Sequence, residues 1–368
     1  MKIGIIFGGN SLEHEISIIT AYQIKNKIKN RYAVIMLYVD FDNNLYDATK
    51  CNINNFKETI PKKIKKTYFV DGGIKKHKLD AVIIAGHGEN AEDGLFAGVL
   101  RFYNIPFIGS NLFASSLCIN KYLTYLMLSK NNIPMLKTNI YTYDDYKNGV
   151  KINEFPIILK PINGGSSMGI KIANDENELL IELSELFKIN KEIIYQSYYS
   201  NLEEYNMAVY YNGVSALERI NNKSNIFSFE NKYTDSFKLM HQEINNDRFD
   251  EFKEISQKVY KLINANGIIR IDFFIINNEI YVNEVNTIPG ALAMYLFDDF
   301  NEIIDDLIKR AIINRNIKYN RGNFLATTQI NKWFKFDIHY FLSYNYYIRG
   351  DLWKSFQQLA ISKDFWLF

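Results

Sequence analysis

Residues 268–290 read IIRIDFFIINNEIYVNEVNTIPG, and the rest of the chain is organised around them. The stretch reads as two strands joined by a tight turn at Asn277-Asn278, ending in Asn-Thr-Ile-Pro-Gly. Arg270 and Asp272 alternate with Ile271, Phe273 and Ile275, and Glu284 and Asn286 flank Val285. Register decides what these charges mean, because a one-residue slip moves a whole set of side chains to the other face. A two-residue loop pairs Ile276 with Glu279 and puts Asp272 and Glu284 on opposite faces. A three-residue loop pairs Ile276 with Ile280 and sets Asp272 across from Glu284. Arg270, Asp272, Glu284 and Asn286 then share one face, and Ile271, Phe273, Ile275, Tyr281 and Val285 share the other. The second register separates polar from apolar, three-residue loops are common in hairpins, and it is the one adopted.

Two carboxylates side by side on a sheet repel each other. An ion pair of Arg270 with Asp272 or Glu284 would explain a lone pair of charges. Four polar groups on one face, followed at once by Pro-Gly, favour a divalent cation. Two carboxylates and an amide oxygen suit Mg²⁺ shared with the phosphates of a nucleotide.

At 368 residues the chain has room for two or three domains. Charged residues are 23% and hydrophobic ones 47%, ordinary for a globular protein. A net charge of +2 gives no basic field for nucleic acid or an anionic membrane. The aromatic content of 15% reads as compositional bias. Two cysteines, Cys51 and Cys118, make neither a metal spacing nor a disulfide framework. The opening MKIGIIFGG is too short an apolar run for a signal segment, and no stretch has the length of a membrane span. A cytoplasmic protein is the expectation.

Ile3–Phe7, the Gly8-Gly9-Asn10-Ser11 turn and a helical pattern from Glu13 to about Ile28 open a doubly wound α/β unit. Further strands are expected at 32–39 and 81–85, with an irregular stretch over 45–78. The second strand end meets a loop, 86–94, and ligands bind beyond such ends. One helix is expected from Ser115 to Ser129, carrying Asn120-Lys121, with a domain boundary near 115. Residues 155–170 read as strand, Gly/Ser loop, strand. Such a loop can wrap backbone N–H groups around phosphate, although taken alone it serves equally as an ordinary hairpin loop. Helices are expected at 178–187, 248–265 and 300–313, and strands at 193–198 and from 203. The polar stretch 221–250 has the length of a functional lid. The tail, 319–368, holds all three Trp and reads as a short helical hairpin for packing or oligomerisation.

Six motifs in order, GGNSLEHEIS (8–17), HGENAEDG (87–94), LKPINGGSSMGI (159–170), NKY (231–233), RIDFF (270–274) and NEVNTIPG (283–290), resemble the D-alanine–D-alanine ligase family of the ATP-grasp superfamily. The match covers roughly 1–315. The resemblance implies an α/β (α+β) fold: an N-terminal doubly wound (pre-ATP-grasp) domain, 1–114, two ATP-grasp subdomains, 115–202 and 203–318, and the extension 319–368. ATP would lie between two antiparallel sheets. The family joins two D-alanines through an acyl phosphate, for peptidoglycan precursors, with ATP and two Mg²⁺ ions (Mn²⁺ as a substitute).

By the same resemblance, Lys121, Lys160 and Lys232 neutralise the ATP phosphates, with Ser167 in the phosphate loop, and Glu204 binds the ribose. Asp272, Glu284 and Asn286 hold the metal. Glu13 anchors the first ammonium, and Ser166 and Tyr233 complete a set that closes the lid. Arg270 and the Gly290 N–H form the oxyanion site. His87 lies near the first substrate, a position that a loop-stabilising histidine would equally fill. Tyr195–Ser197 fall where the family binds adenine, without its usual acidic residue. Ala291–Leu296 depart from the family's Ser-containing segment. Tyr295 and Leu296 fall where the second substrate is expected, so D-serine, D-lactate, glycine or a larger amine are alternative acceptors. Asn120 stands where the family has Asp. A homodimer is a family trait. A non-catalytic nucleotide-binding scaffold has no need for such clustered like charges, and GGNS lacks the G-x-G-x-x-G of dinucleotide-binding enzymes.

Overall fold

The computed structural model describes residues 1–57, 64–165, 169–220, 241–243 and 247–316. The expected tail hairpin and most of the 221–250 lid therefore lie outside the described residues.

The chain opens with β1 (Lys2–Gly8), α1 (His14–Ile28), β2 (Ala33–Val39), β3 (Leu45–Asp47), β4 (Lys65–Lys66), β5 (Phe69–Val70), β6 (Gly73–Ile74), β7 (His77–Lys78), β8 (Ala81–Ile84), α2 (Leu95–Phe102) and β9 (Phe107–Ile108). One sheet has the order β4-β3-β2-β1-β8-β9. Its centre is parallel: β1 pairs with both β2 and β8, and β8 with β9. Ile3 to Gly8 are buried without alternation, as a strand covered on both faces requires. Gly8 then turns at φ +87, where a Cβ would lie 2.2 Å from the carbonyl oxygen of Val39, so only glycine fits. The 45–78 stretch is less irregular than its composition suggests. It supplies β3 and the edge strand β4 of the first sheet and a separate three-stranded sheet, β5-β6-β7. Strands of two residues show no alternation to read.

Next come α3 (Leu112–Cys118) and α4 (Lys121–Lys130). They replace the single helix expected over 115–129. Asn120 breaks it: its backbone is extended and its side chain caps α4 by accepting from Leu123 N at 2.9 Å. Asp would cap equally well, which makes Asn120 a mild departure and presents Lys121 as the first residue of α4.

Two antiparallel sheets follow. The first contains β10 (Asn139–Thr142), β11 (Ile157–Pro161), β12 (Lys171–Ala173) and β13 (Glu192–Ser197), in the order β10-β13-β11-β12. The helix α5 (Tyr143–Lys147) follows β10, and α6 (Glu176–Leu186) buries Leu179, Leu183 and Leu186 against this sheet. The second contains β14 (Glu203–Tyr210), β15 (Gly213–Ile220), β16 (His241–Glu243), β17 (Ile269–Ile276) and β18 (Glu279–Asn286), in the order β16-β15-β14-β17-β18. The helix α7 (Phe249–Leu262) packs Phe252 and Val259 behind it. The final described helix is α8 (Phe300–Asn316), whose Ile304 and Ile308 join the core of the first sheet.

The β17–β18 register differs from the one expected. The turn has two residues, with Ile276 opposite Glu279 and both Asn277 and Asn278 at positive φ, as a tight primed turn needs. Phe273 then faces Val282, and Tyr281 pairs with Phe274 on the polar face. The ladder slips by one residue before Asp272 meets Glu284, so Asn283 is bulged out. The expected polar face survives, through a bulge instead of a longer turn.

Candidate active site

The two antiparallel sheets meet where β11 and β18 approach. Lys160, on β11, is buried and reaches across: its Nζ donates to Gln196 Oε1 on β13 at 3.0 Å and to Asn283 Oδ1 on β18 at 3.3 Å. Burial lowers its pKa to about 8, against a pull upward from Glu284 and Glu204 and a further push down from Lys121. Lys121, at the start of α4, lies 3.3 Å from Glu284 Oε1 and also donates to the carbonyl of Gly164 in the glycine loop. Glu204 stands on β14 opposite Phe274, close enough to Lys160 to be felt by it. Three of the residues expected at the phosphate and ribose end are thus brought together. Ser166, Ser167, Lys232 and Tyr233 lie outside the described residues.

On β17 and β18 the polar face is continuous. Arg270 donates from Nε to Asp272 Oδ1 at 2.7 Å and from NH2 to Asp272 Oδ2 at 2.9 Å, and Asn286 Nδ2 donates to the same Oδ2 at 3.0 Å. Burial disfavours the Arg270 charge, but Asp272 more than offsets it and holds the guanidinium above its ordinary pKa. Among the described residues no three His, Cys, Asp or Glu side chains cluster as a metal site. The set here is two carboxylates and one amide, all hard donors. Each carboxylate is compensated by a neighbouring cation, Asp272 by Arg270 and Glu284 by Lys121. Asn286 spends N–H on Asp272 and keeps an oxygen as donor atom. This set fits Mg²⁺ that draws its other ligands from phosphate and water.

The other end is built by the first sheet and the 290–296 turn. Glu13, just before α1, is buried, and a Cβ on Gly165 would lie 3.8 Å from its Oε2, so the glycine loop borders it. His87 is buried between Thr20 Oγ1, at 2.9 Å from Nε2, and Glu92 Oε1, at 3.4 Å from Nδ1. Thr20 Oγ1 also accepts from Ala291 N at 3.4 Å. Gly290 faces open space, with no heavy atom within 4 Å of an added Cβ. Ala291, Leu292 and Ala293 follow at φ 48, 53 and 51, left-handed backbone that non-glycine residues rarely adopt. Leu296 is buried in the apolar core, while Tyr295 is 45% exposed and its hydroxyl donates to Glu218 Oε2 at 3.1 Å.

Models of the "D-ala D-ala ligase N-terminus" and the "D-ala D-ala ligase C-terminus" match residues 2–110 and 121–303. The chain belongs to the D-alanine–D-alanine ligase family. The D-alanine–D-alanine ligase of Campylobacter lari is 34% identical over 333 residues, covering 86% of this chain and 95% of that protein. The crystal structure of the Helicobacter pylori ligase superposes with a TM-score of 0.72 at 32% identity, covering 84% of this chain and 98% of that one. The VanG D-Ala:D-Ser ligase of Enterococcus faecalis gives 0.71 at 25% identity, covering 84% and 99%. The fold is the ATP-grasp fold of this family, and the chain is an ATP-dependent carboxylate–amine ligase that uses ATP and Mg²⁺. No helix among the described residues is long and apolar enough to cross a membrane.

Sequence reasoning missed Asn283, Gln196, Thr20, Asn206 and Glu218. Asn283 is hidden by the bulge. Gln196 falls inside the Tyr195–Ser197 segment but was not paired with Lys160. Glu218 carried a signal: it is an acid that follows the mostly apolar Val214-Ser215-Ala216-Leu217, and it is buried.

Proposed function

We infer that this chain joins two D-alanines to D-alanyl-D-alanine, at the cost of one ATP, for peptidoglycan precursor synthesis. The observation that carries this reading is the meeting of Lys121 and Lys160 with Asp272, Glu284 and Asn286 at the junction of two antiparallel sheets. Carboxylate and triphosphate repel, so their reaction needs convergent positive charge.

Lys121 and Lys160 receive the phosphates and Glu204 takes the ribose. Asp272, Glu284 and Asn286 would hold Mg²⁺, which when bound neutralises charge on the transferring phosphoryl group. Glu13 holds the ammonium of the first D-alanine beside the glycine loop. The carboxylate oxygen of that D-alanine bonds to the γ-phosphorus as the bond to ADP breaks, giving an acyl phosphate. The amine of the second D-alanine then attacks the carbonyl carbon. Arg270 and the Gly290 N–H receive the developing oxyanion, and inorganic phosphate leaves. Ser166, Ser167, Lys232 and Tyr233 keep the lid and phosphate roles that the family motifs imply. His87 orients the Thr20 side of the first-substrate pocket, and Tyr295 with Leu296 borders the second.

The division 1–114, 115–202, 203–318 and 319–368, a cytoplasmic location and a homodimer belong to the same reading. The first boundary is supported by the two family models, which match 2–110 and 121–303, and the location and the homodimer rest on the family resemblance.

The test is ADP and phosphate formation by purified protein with Mg²⁺ across D-alanine, D-serine, D-lactate, glycine and the L-amino acids, singly and in pairs. D-alanine alone should give the highest rate and the dipeptide as product. No D-alanine-dependent turnover would remove the reading.

A further inference from the structure

Glu218 lies on β15, 1% exposed, in a row that crosses neighbouring strands from Glu284 to Asp272 to Asn206 to Glu218. Burying a carboxylate is costly unless it is hydrogen-bonded. Two side chains meet that need on one oxygen: Asn206 Nδ2 donates to Oε2 at 3.2 Å and Tyr295 OH donates to Oε2 at 3.1 Å. Both Glu218 and Tyr295 lie near enough to Arg270 to add to its electrostatic surroundings. The pair therefore stands beside the oxyanion site, at the edge where the second substrate is expected.

The direction of the Tyr295 hydrogen bond has a chemical consequence. A phenol has one proton to donate and two lone pairs to accept with. A carboxylate can only accept, so the Tyr295 proton is committed to Glu218. Toward a third partner the phenol acts as an acceptor. It cannot serve the carboxylate of an incoming amino acid, as a serine in that place would. It can receive an N–H.

We propose that Glu218, braced by Asn206, is a positioning residue that turns the Tyr295 phenol into a hydrogen-bond acceptor for the ammonium of the second D-alanine. The proposal rests on the ligase reading and on the second subsite lying at Tyr295. Electrostatics favour the same assignment, because a buried carboxylate behind the phenol attracts an ammonium and repels a carboxylate. The carboxylate of the acceptor is then left to Arg270 or to backbone N–H groups of the 290–296 turn.

The experiment compares wild type, Glu218→Gln, Tyr295→Phe and the double variant. Initial rates over a wide D-alanine range give separate KM values for the two D-alanines, and melting is followed in parallel. The KM of the second D-alanine should rise about tenfold in each single variant. The KM values of the first D-alanine and of ATP should stay within about twofold, and the double variant should be no worse than either single. D-Alaninamide, which keeps the ammonium and lacks the carboxylate, is then used as a competitor of the second site. Its inhibition constant should rise in Tyr295→Phe as much as the D-alanine KM does. An unchanged constant for D-alaninamide, or no competition with wild type, would show that Tyr295 serves the carboxylate end and would overturn the proposal. Equal rises in both D-alanine KM values, or additive effects in the double variant, would also overturn it. If Glu218→Gln fails to fold, Tyr295→Phe, at a 45% exposed position, still decides the point. A wild type with no D-alanine-dependent turnover would instead remove the ligase reading itself.

Discussion

Asp272 stands directly opposite Glu284 because Asn283 is bulged out of the strand between them and the turn. The bulge does two things at once. It brings the two carboxylates onto one face, and it turns the Asn283 amide oxygen toward Lys160 at 3.3 Å. A hydrogen bond to a charged group contributes roughly 1.5–3 kcal/mol when well formed, and this one is long. Asn283→Ala should therefore raise the KM for ATP several-fold, with kcat for D-alanine ligation changed less. Steady-state kinetics with ATP as the varied substrate checks this. An unchanged ATP KM would mean that Gln196 alone holds Lys160.

Lys160 gives a pH prediction. Burial lowers its pKa from 10.5 to about 8. For a lysine with a lowered folded pKa, the unfolded chain binds more protons between the two values. Stability is reduced below about 8 and recovers as pH rises from about 8 toward 10.5. Function runs the other way, because the phosphates need the protonated amine. The KM for ATP should rise as pH passes about 8 in the free enzyme, while kcat, which reports the ATP-bound form, should fall at higher pH. Lys160→Arg keeps its charge throughout and should lose the inflection in kcat/KM. A wild-type ATP profile flat from pH 7 to about 9.5 would remove Lys160 from phosphate binding.

Glu284 and Asp272 should separate metal binding from folding. The Glu284 side chain is 29% exposed and its described ion pair is with Lys121, so Glu284→Gln should leave the melting temperature nearly unchanged and abolish turnover across the Mg²⁺ range. Asp272 accepts two bonds from Arg270 and one from Asn286. Asp272→Asn leaves a half-buried guanidinium poorly paired and should cost about 2 kcal/mol of stability as well as activity. Full activity of Glu284→Gln at low Mg²⁺ would sink the metal assignment.

The polar face of the hairpin was legible because its charges alternate with Ile and Phe over Arg270–Ile275, and the strand–glycine–helix opening because Ile3–Phe7 runs apolar into Gly8-Gly9. The bulge was not, since one extra residue leaves composition and alternation almost unchanged and shows itself only in pairing. The break at Asn120 was masked by apolar spacing that runs through both helices, although Asn is a good cap. Gln196 and Thr20 escaped because a neutral polar residue acquires a role only from its partner, here Lys160 and His87, which lie 36 and 67 residues away in the chain. Arg270 was easier, because a charge inside an apolar pattern is a signal by itself, whereas Glu13 and Lys121 sit in polar surroundings and were reached only through the family motifs.

The left-handed turn after Gly290 offers the last test. Ala291, Leu292 and Ala293 sit at φ 48, 53 and 51, and such backbone costs roughly 1–2 kcal/mol for each residue with a Cβ. Leu292 and Ala293 are fully buried in the first core, and the Ala291 N–H rests on Thr20 Oγ1. Packing thus holds a conformation that the chain would not choose, and it fixes where the Gly290 N–H points. Ala291→Gly relieves strain of about 1 kcal/mol, and the freer unfolded chain takes back about 0.4–1. The melting temperature should move little, but the turn should loosen and kcat should fall several-fold with KM for both D-alanines nearly constant. Thr20→Val, which keeps the shape and removes the acceptor, should lower kcat in the same way. Stopped-assay kinetics and a melting curve on the two variants check this. A more stable Ala291→Gly with wild-type kcat would mean that the strained turn has no part in placing the oxyanion donor.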